Sequence, residues 1–259
     1  MKNRFVGMML LSSFIFCLEG NHNYVTGASF QGDEIRVNSN ICFGNFEQDD
    51  DIQNGKEPIE WRVLRIDEDN RQALLLSKNC LDCQPFHAEV SEESDLEECT
   101  WEECTLRSWL NSNLEGGFLY EAFSEEEQEQ IIKTLVQPIE NGHFTQADPG
   151  GETQDYIFLL SEQDAREYFN CASDRRALTT EWASQKQKKD TEDSENEETE
   201  EYWIDTRNTT GGSFWWLRTP GEDNTYAECI GAEGAIVQTG YMIEQQFFGV
   251  RPALWVILD

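Results

Sequence analysis

Ile59-Glu60-Trp61-Arg62-Val63, Asp67-Glu68-Asp69-Asn70 and Ala73-Leu74-Leu75-Leu76-Ser77 together decide the fold class. Apolar residues alternate in the first segment, which sets Ile59, Trp61 and Val63 on one face of a strand. The second carries turn chemistry, and the third is the continuous apolar run of a buried strand. Together they predict a β-hairpin. Upstream, Glu34-Ile35-Arg36-Val37 and Ile41-Cys42-Phe43-Gly44-Asn45-Phe46 read as strands, separated from the hairpin by a polar loop over 48–56.

Helices follow the hairpin. Thr100 with Glu103 predicts a capping box before a helix over 101–113, in which Leu106, Trp109 and Leu110 recur at helical spacing. Ser124 with Glu127 predicts a second, carrying Ile131, Ile132 and Leu135, and Ser161 with Asp164 a third, carrying Ala165, Tyr168 and Phe169. From 185 to 201 lysines give way to an acidic run, the composition of a disordered, solvated insertion. Sheet returns at Trp215-Trp216-Leu217-Arg218-Thr219-Pro220, and residues 226–237 read as a hairpin around Gly231-Ala232-Glu233-Gly234. The last apolar run, 249–258, reads as a buried strand with Pro252 at a sheet edge or bulge.

Lys2 and Arg4, an apolar stretch over 5–18 and the polar Asn21-His22-Asn23 have the form of a secretory signal peptide over about 1–20. Cys17 offers a lipid anchor as the minority route, disfavoured by the bulky Phe16 before it. The expected location is outside the cell or on its surface, with residues 30–259 as one domain and no stable membrane span once the leader is removed. The formal charge of −32, from 51 acidic and 19 basic side chains, excludes nucleic acid and anionic lipid as electrostatic partners.

The remaining cysteines, Cys42, Cys80, Cys83, Cys99, Cys104, Cys171 and Cys229, are odd in number. Cys80-x-x-Cys83 followed by Cys99 and Cys104 leaves three readings open: a zinc site, disulfides, or unpaired packing thiols. No phosphate loop, nucleophile elbow or dinucleotide fingerprint is present, and His22, His87 and His143 are scattered. No cofactor and no metal site is expected. Trp215, Trp216, Arg218, Glu222, Asp223 and Arg251 form the one candidate ligand-binding cluster, because aromatic faces beside charged groups can stack on and orient a sugar or peptide. The structural alternative is that the tryptophans are core and the arginines hold loops.

Four ordered motifs carry a resemblance: Trp101-Glu102-Glu103-Cys104-Thr105-Leu106-Arg107-Ser108-Trp109-Leu110-Asn111, Ile157-Phe158-Leu159-Leu160-Ser161, Trp215-Trp216-Leu217-Arg218-Thr219-Pro220-Gly221 and Gly249-Val250-Arg251-Pro252-Ala253-Leu254. From about Phe43 to Leu258 the chain resembles domain-of-unknown-function family 6273, found mostly in Firmicutes and often in exported proteins. The late motifs are more remotely similar to the formylglycine-generating-enzyme and C-type-lectin-like fold. This implies an α+β, C-type-lectin-like mixed fold with a mainly antiparallel sheet, paired terminal strands and short helices packed on it. It implies neither the oxidase chemistry, which needs a cysteine pair where only Cys229 stands, nor lectin calcium binding. The function expected is noncatalytic binding of an extracellular glycan, peptide or surface protein through loops near 218–224. The rivals are an enzyme, such as a hydrolase using carboxylates, and a purely structural surface protein.

Overall fold

A computed structural model describes residues 23–24, 35–88, 98–192 and 212–258. The leader over 1–20 with Cys17, and residues 193–201 of the acidic insertion, lie outside the described residues. The alternating segment falls in β3 (Glu57–Asp67) and the apolar run in β4 (Gln72–Ser77), paired antiparallel with Trp61 opposite Ser77 and Val63 opposite Leu75. Ile59, Trp61 and Val63 are all buried, as the alternation requires. The Trp61 indole N–H donates to the Phe43 carbonyl at 2.7 Å, so the largest ring of this face is satisfied in the core.

This hairpin sits inside a six-stranded sheet with the order β1 (Asn23–Tyr24), β2 (Asn40–Phe46), β3, β4, β13 (Ala253–Ile257), β6 (Ile131–Ile132). A second sheet of five strands runs β11 (Ile236–Met242), β10 (Tyr226–Ile230), β9 (Trp215–Pro220), β12 (Gly249–Val250), β5 (Asp82–Cys83). A third pairs β7 (Thr134–Val136) with β8 (Thr153–Asp155). Pairing is antiparallel except for β1 with β2 and β12 with β9. The short helices are α1 (Thr105–Leu110), α2 (Phe118–Ala122), α3 (Glu125–Gln128), α4 (Glu162–Glu167), α5 (Ala172–Arg175) and α6 (Glu181–Glu192). The architecture is α+β with mainly antiparallel sheets.

Several expectations are corrected. Residues 35–38 form no strand. The first helix starts at Thr105, capped by the Cys104 sulfur accepting from the Arg107 N–H, and Thr100 and Glu103 lie in the turn before it. Ser124 and Glu127 do form a capping box, but α3 ends after one turn. Ile131 and Ile132 leave it because β13 offers them a ladder, Ile132 facing Trp255 and Ile131 facing Val256. The insertion is helical from 185 to 192, where α6 is anchored by Lys186 on Asp82 at 2.7 Å and by the Gln187 amide on the Phe247 carbonyl. β2 and β13 share a sheet without pairing, since β3 and β4 stand between them. Around Gly231 and Gly234 the hairpin β10–β11 forms as read, with Gly234 at φ +84°, where an added Cβ would also strike the Ala172 carbonyl.

The final apolar run is two strands in two sheets. Gly249 and Val250 lie between β9 and β5, the chain crosses at Arg251 and Pro252, and Ala253 then enters between β4 and β6. Neither segment is an edge strand, so Pro252 marks a change of sheet, where its missing N–H interrupts no ladder. The other link between the sheets runs beside it: Ser77 N–H donates to the Pro252 carbonyl and Leu81 N–H to the Val250 carbonyl, both at 2.9 Å.

Arg251 is buried at this crossing. Its Nε donates to the Ser77 carbonyl at 2.8 Å, its Nη1 to the Arg175 carbonyl at 3.3 Å, and its guanidinium lies 4.9 Å from the Trp215 ring centre. Desolvation lowers its pKa to about 10, so it remains the cationic partner of those carbonyls and rings at neutral pH. Lysine has the charge but neither the planar fork nor the stacking surface. Arg251→Lys is expected to lower stability by about 2 kcal/mol or more, read as a fall in the urea midpoint with an unchanged m-value.

Candidate functional site

The six residues of the sequence cluster do not converge on a surface. Trp215 and Trp216 are 0% exposed. Trp215 donates to the Arg175 carbonyl, and Trp216 stacks on Phe248 at 3.9 Å and donates to the Gln84 carbonyl at 3.0 Å. Alternation along β9 sends the two rings to opposite faces, and each face is covered. Arg251 is the crossing residue described above. Arg218 is turned inward, its Nη1 on Asp164 Oδ2 at 2.6 Å and on the Leu159 carbonyl at 2.7 Å. Only Glu222 and Asp223 are exposed, and Asp223 accepts from the Thr225 N–H and hydroxyl within its own turn. The aromatic and arginine members are therefore core and loop-holding groups.

An open cleft lies elsewhere, over the helices that follow the first motif. Its volume is about 450 Å³ and its lining is Asn111, Asn113, Leu119, Glu125, Gln128, Glu129 and Tyr156. Asn111, the C-cap of α1, has its amide fully used: Nδ2 donates to the Arg107 and Ile157 carbonyls and Oδ1 accepts from the Tyr156 and Ile157 N–H groups. The Gln128 amide N–H₂ is spent on the Leu119 and Phe123 carbonyls. These bonds fix the wall. Asn113, Glu125 and Glu129 are exposed on it, and Tyr156 is half-buried with the Lys133 ammonium 5.5 Å from its ring centre. Of these residues only Asn111 falls in a motif that the sequence singled out; apart from the buried Leu119 of α2, the others occupy loop and helix-end positions that no periodicity marks.

The four motifs lock onto one another. Trp101 Nε1 and Arg107 Nε both donate to Asp155, which is fully buried and also accepts from the Thr153 hydroxyl. Asn111 holds Ile157, Phe158 exchanges two backbone hydrogen bonds with Ala253, and Arg218 closes on Leu159 and Asp164. Residues 70–258 match the family model described as Domain of unknown function (DUF6273). The chain belongs to this family. The match begins at residue 70, later than the expected start near Phe43, leaving β1, β2 and β3 outside it. No curated protein and no solved structure matches the chain.

Cys80, Cys104, Cys171 and Cys229 of the DUF6273 chain form no disulfide, and among the described residues no cysteine belongs to a group close enough to hold a metal ion. Of the three readings, that of packing thiols fits the buried Cys80, Cys104 and Cys229. Burial pushes Cys80 up to about 12 and raises Cys104 and Cys229 well above the ordinary thiol value, which favours the protonated, weakly nucleophilic thiol at all three.

One carboxyl group of the domain stands out by its surroundings. Glu228 is the single β10 residue set against residues 217–219 of β9 and 238–240 of β11, at a bulge that shifts register on both sides. It is fully buried and neither carboxyl oxygen has a hydrogen-bond partner. Burial pushes its pKa up to about 9, Glu162 adds to the rise, and Arg166 opposes it. Glu162 itself receives hydrogen bonds from Arg166 and Gln238. Such a pair divides into a proton holder and a charge holder. Because the folded pKa of Glu228 lies above its ordinary 4.5, folding takes up a proton between 4.5 and about 9. Its favourable contribution is full below the lower value and is lost as pH rises through the upper one. Glu228→Gln is therefore expected to flatten the fall of the unfolding midpoint across that window and to leave the variant more stable than the parent at its alkaline end. A series of thermal melts at graded pH measures it.

Proposed function

We propose that this DUF6273 domain is a noncatalytic ligand-binding module acting outside the cell, with the cleft between α1, α2, α3 and Tyr156 as its binding mouth. The cleft carries the reading. Its volume of about 450 Å³ falls within the range of small-ligand sites, roughly 300–1,000 Å³. Its walls are held by hydrogen bonds that no ligand needs to break, so recognition costs little reorganisation. The groups left over are amide, carboxylate and phenol, which match the hydroxyl array of a glycan, with the Tyr156 ring as an apolar platform. Glu125 and Glu129 disfavour an anionic ligand.

The export half of the reading is supported by the basic, apolar and polar succession of the first residues. The C-type-lectin-like reading of the fold belongs with it, supported by the glycine-centred β10–β11 hairpin and the Gly-x-Arg segment that carries the chain into β13, with the separated β2 and β13 as a departure. An enzyme working through carboxylates would place its perturbed acid in a cleft. Glu228, whose carboxyl is raised by burial, does not line this cleft.

A glycan and peptide array probed with the full chain tests the reading. A reproducible glycan hit is expected, weakened at least about tenfold by Tyr156→Ala, a loss of about 1.4 kcal/mol, with the unfolding midpoint close to that of the parent. Silence on every glycan, or binding that Tyr156→Ala and Glu129→Gln both leave intact, removes the cleft as the site.

A further inference from the structure

The loop between β2 and β3 gathers three carboxylates that the sequence alone had no means of separating from the acidic background. Glu47 follows the last residue of β2, Glu57 opens β3 opposite Phe46, and Asp49 lies in the turn between them. One oxygen from each lies within 4.8 Å of the other two. Two ligand oxygens on a calcium ion, each 2.3–2.6 Å from it, are separated by at most about 5 Å. The three groups therefore already stand at the spacing of a shared hard cation.

The loop holds them there. Gln48 N–H donates to Glu57 Oε2 at 2.8 Å, and the Gln48 side chain donates to the Glu57 and Pro58 carbonyls, both at 3.1 Å. Asp49 accepts from the Asp51 N–H at 2.9 Å and from the Asn54 amide at 2.8 Å, one bond to each oxygen. A carboxylate oxygen has a second lone pair, so these bonds orient Asp49 without exhausting it. Glu47 is 8% exposed, and its Oε1 is buried with no hydrogen-bond partner. An orphaned carboxylate oxygen beside two further carboxylates carries a cost that a proton or a shared cation relieves. The adjacent Lys56 does not supply it, because its ammonium is committed to Glu121 at 2.6 Å. Among the described residues, no Lys or Arg forms a salt bridge with any of the three acids.

We infer that Glu47, Asp49 and Glu57 form a calcium site that ties the β2–β3 connection together. All-oxygen ligation from a short loop suits calcium, which accepts irregular geometry, better than magnesium, which demands a near-ideal octahedron, and excludes the nitrogen and sulfur preferences of zinc. The site lies outside residues 70–258 and is independent of the cleft.

Calorimetric titration of the metal-free full chain with calcium chloride, with thermal melts in parallel, decides it. The parent is expected to show one saturable site of roughly 10⁻⁵–10⁻³ M and a calcium-dependent rise in melting temperature. Glu47→Gln is expected to weaken binding at least about tenfold, to remove that rise, and to melt higher than the parent without calcium, since it relieves the repulsion. Glu68→Gln and Asp69→Asn, which discharge the exposed β3–β4 turn, serve as controls and are expected to bind as the parent does. Magnesium is expected to bind more weakly. Absence of a saturable site in the parent overturns the inference, as does equal binding by Glu47→Gln and the controls.

Discussion

Everything in this domain turns on how one guanidinium is housed. Arg251 sits where the chain passes from one sheet to the other, and its planar fork answers carbonyls from β4 and from the end of α5 while its face rests near Trp215. A buried cation with carbonyl and aromatic partners is stable only if those partners are fixed, and here they come from three separate segments. The antiparallel crossing of residues 78–81 beside 251–252, with its paired backbone hydrogen bonds, supplies the rigidity. The two sheets meet at a covalently doubled, polar-cored seam.

The family motifs describe this seam and its braces. Asp155 gathers Trp101, Arg107 and Thr153; Asn111 fastens Ile157; Arg218 fastens Asp164; Ala253 fastens Phe158. Apart from the backbone pair at Ala253, these are buried or partly buried polar side chains meeting a geometric requirement that few other residue types satisfy. A signature of this kind marks a scaffold, and the groups free to meet a ligand, such as Asn113, Glu129 and Tyr156, lie just beside the signature residues.

The β3–β4 hairpin and the β10–β11 hairpin were legible because alternation and turn glycines are local signals. So were the capping boxes at Ser124 and Ser161. Helix length was not: nothing local to Ile131 and Ile132 tells that β13 waits for them more than a hundred residues later, and the apolar run that looked like one strand was divided by a change of sheet. The proposed binding cluster misled for a related reason. Trp215, Trp216, Arg218 and Arg251 have the chemistry of recognition, but the same surfaces serve packing, and only tertiary placement decides between them. The carboxylates of Glu47, Asp49 and Glu57 illustrate the reverse, a grouping hidden among 51 acidic residues until the β2–β3 turn brings them together.

The sheet order also separates the segment that recurs in evolution from the segment that folds. The recurrent unit opens at residue 70, just before β4, yet β4 is an interior strand whose other neighbour is β3. Cut there, the sheet would present an unprotected edge with Leu74, Leu75 and Leu76 along it, an open template for another chain. In this chain β3, backed by β2, is the shutter that closes that edge, so the fold's integrity reaches beyond the recurrent unit into residues 40–67.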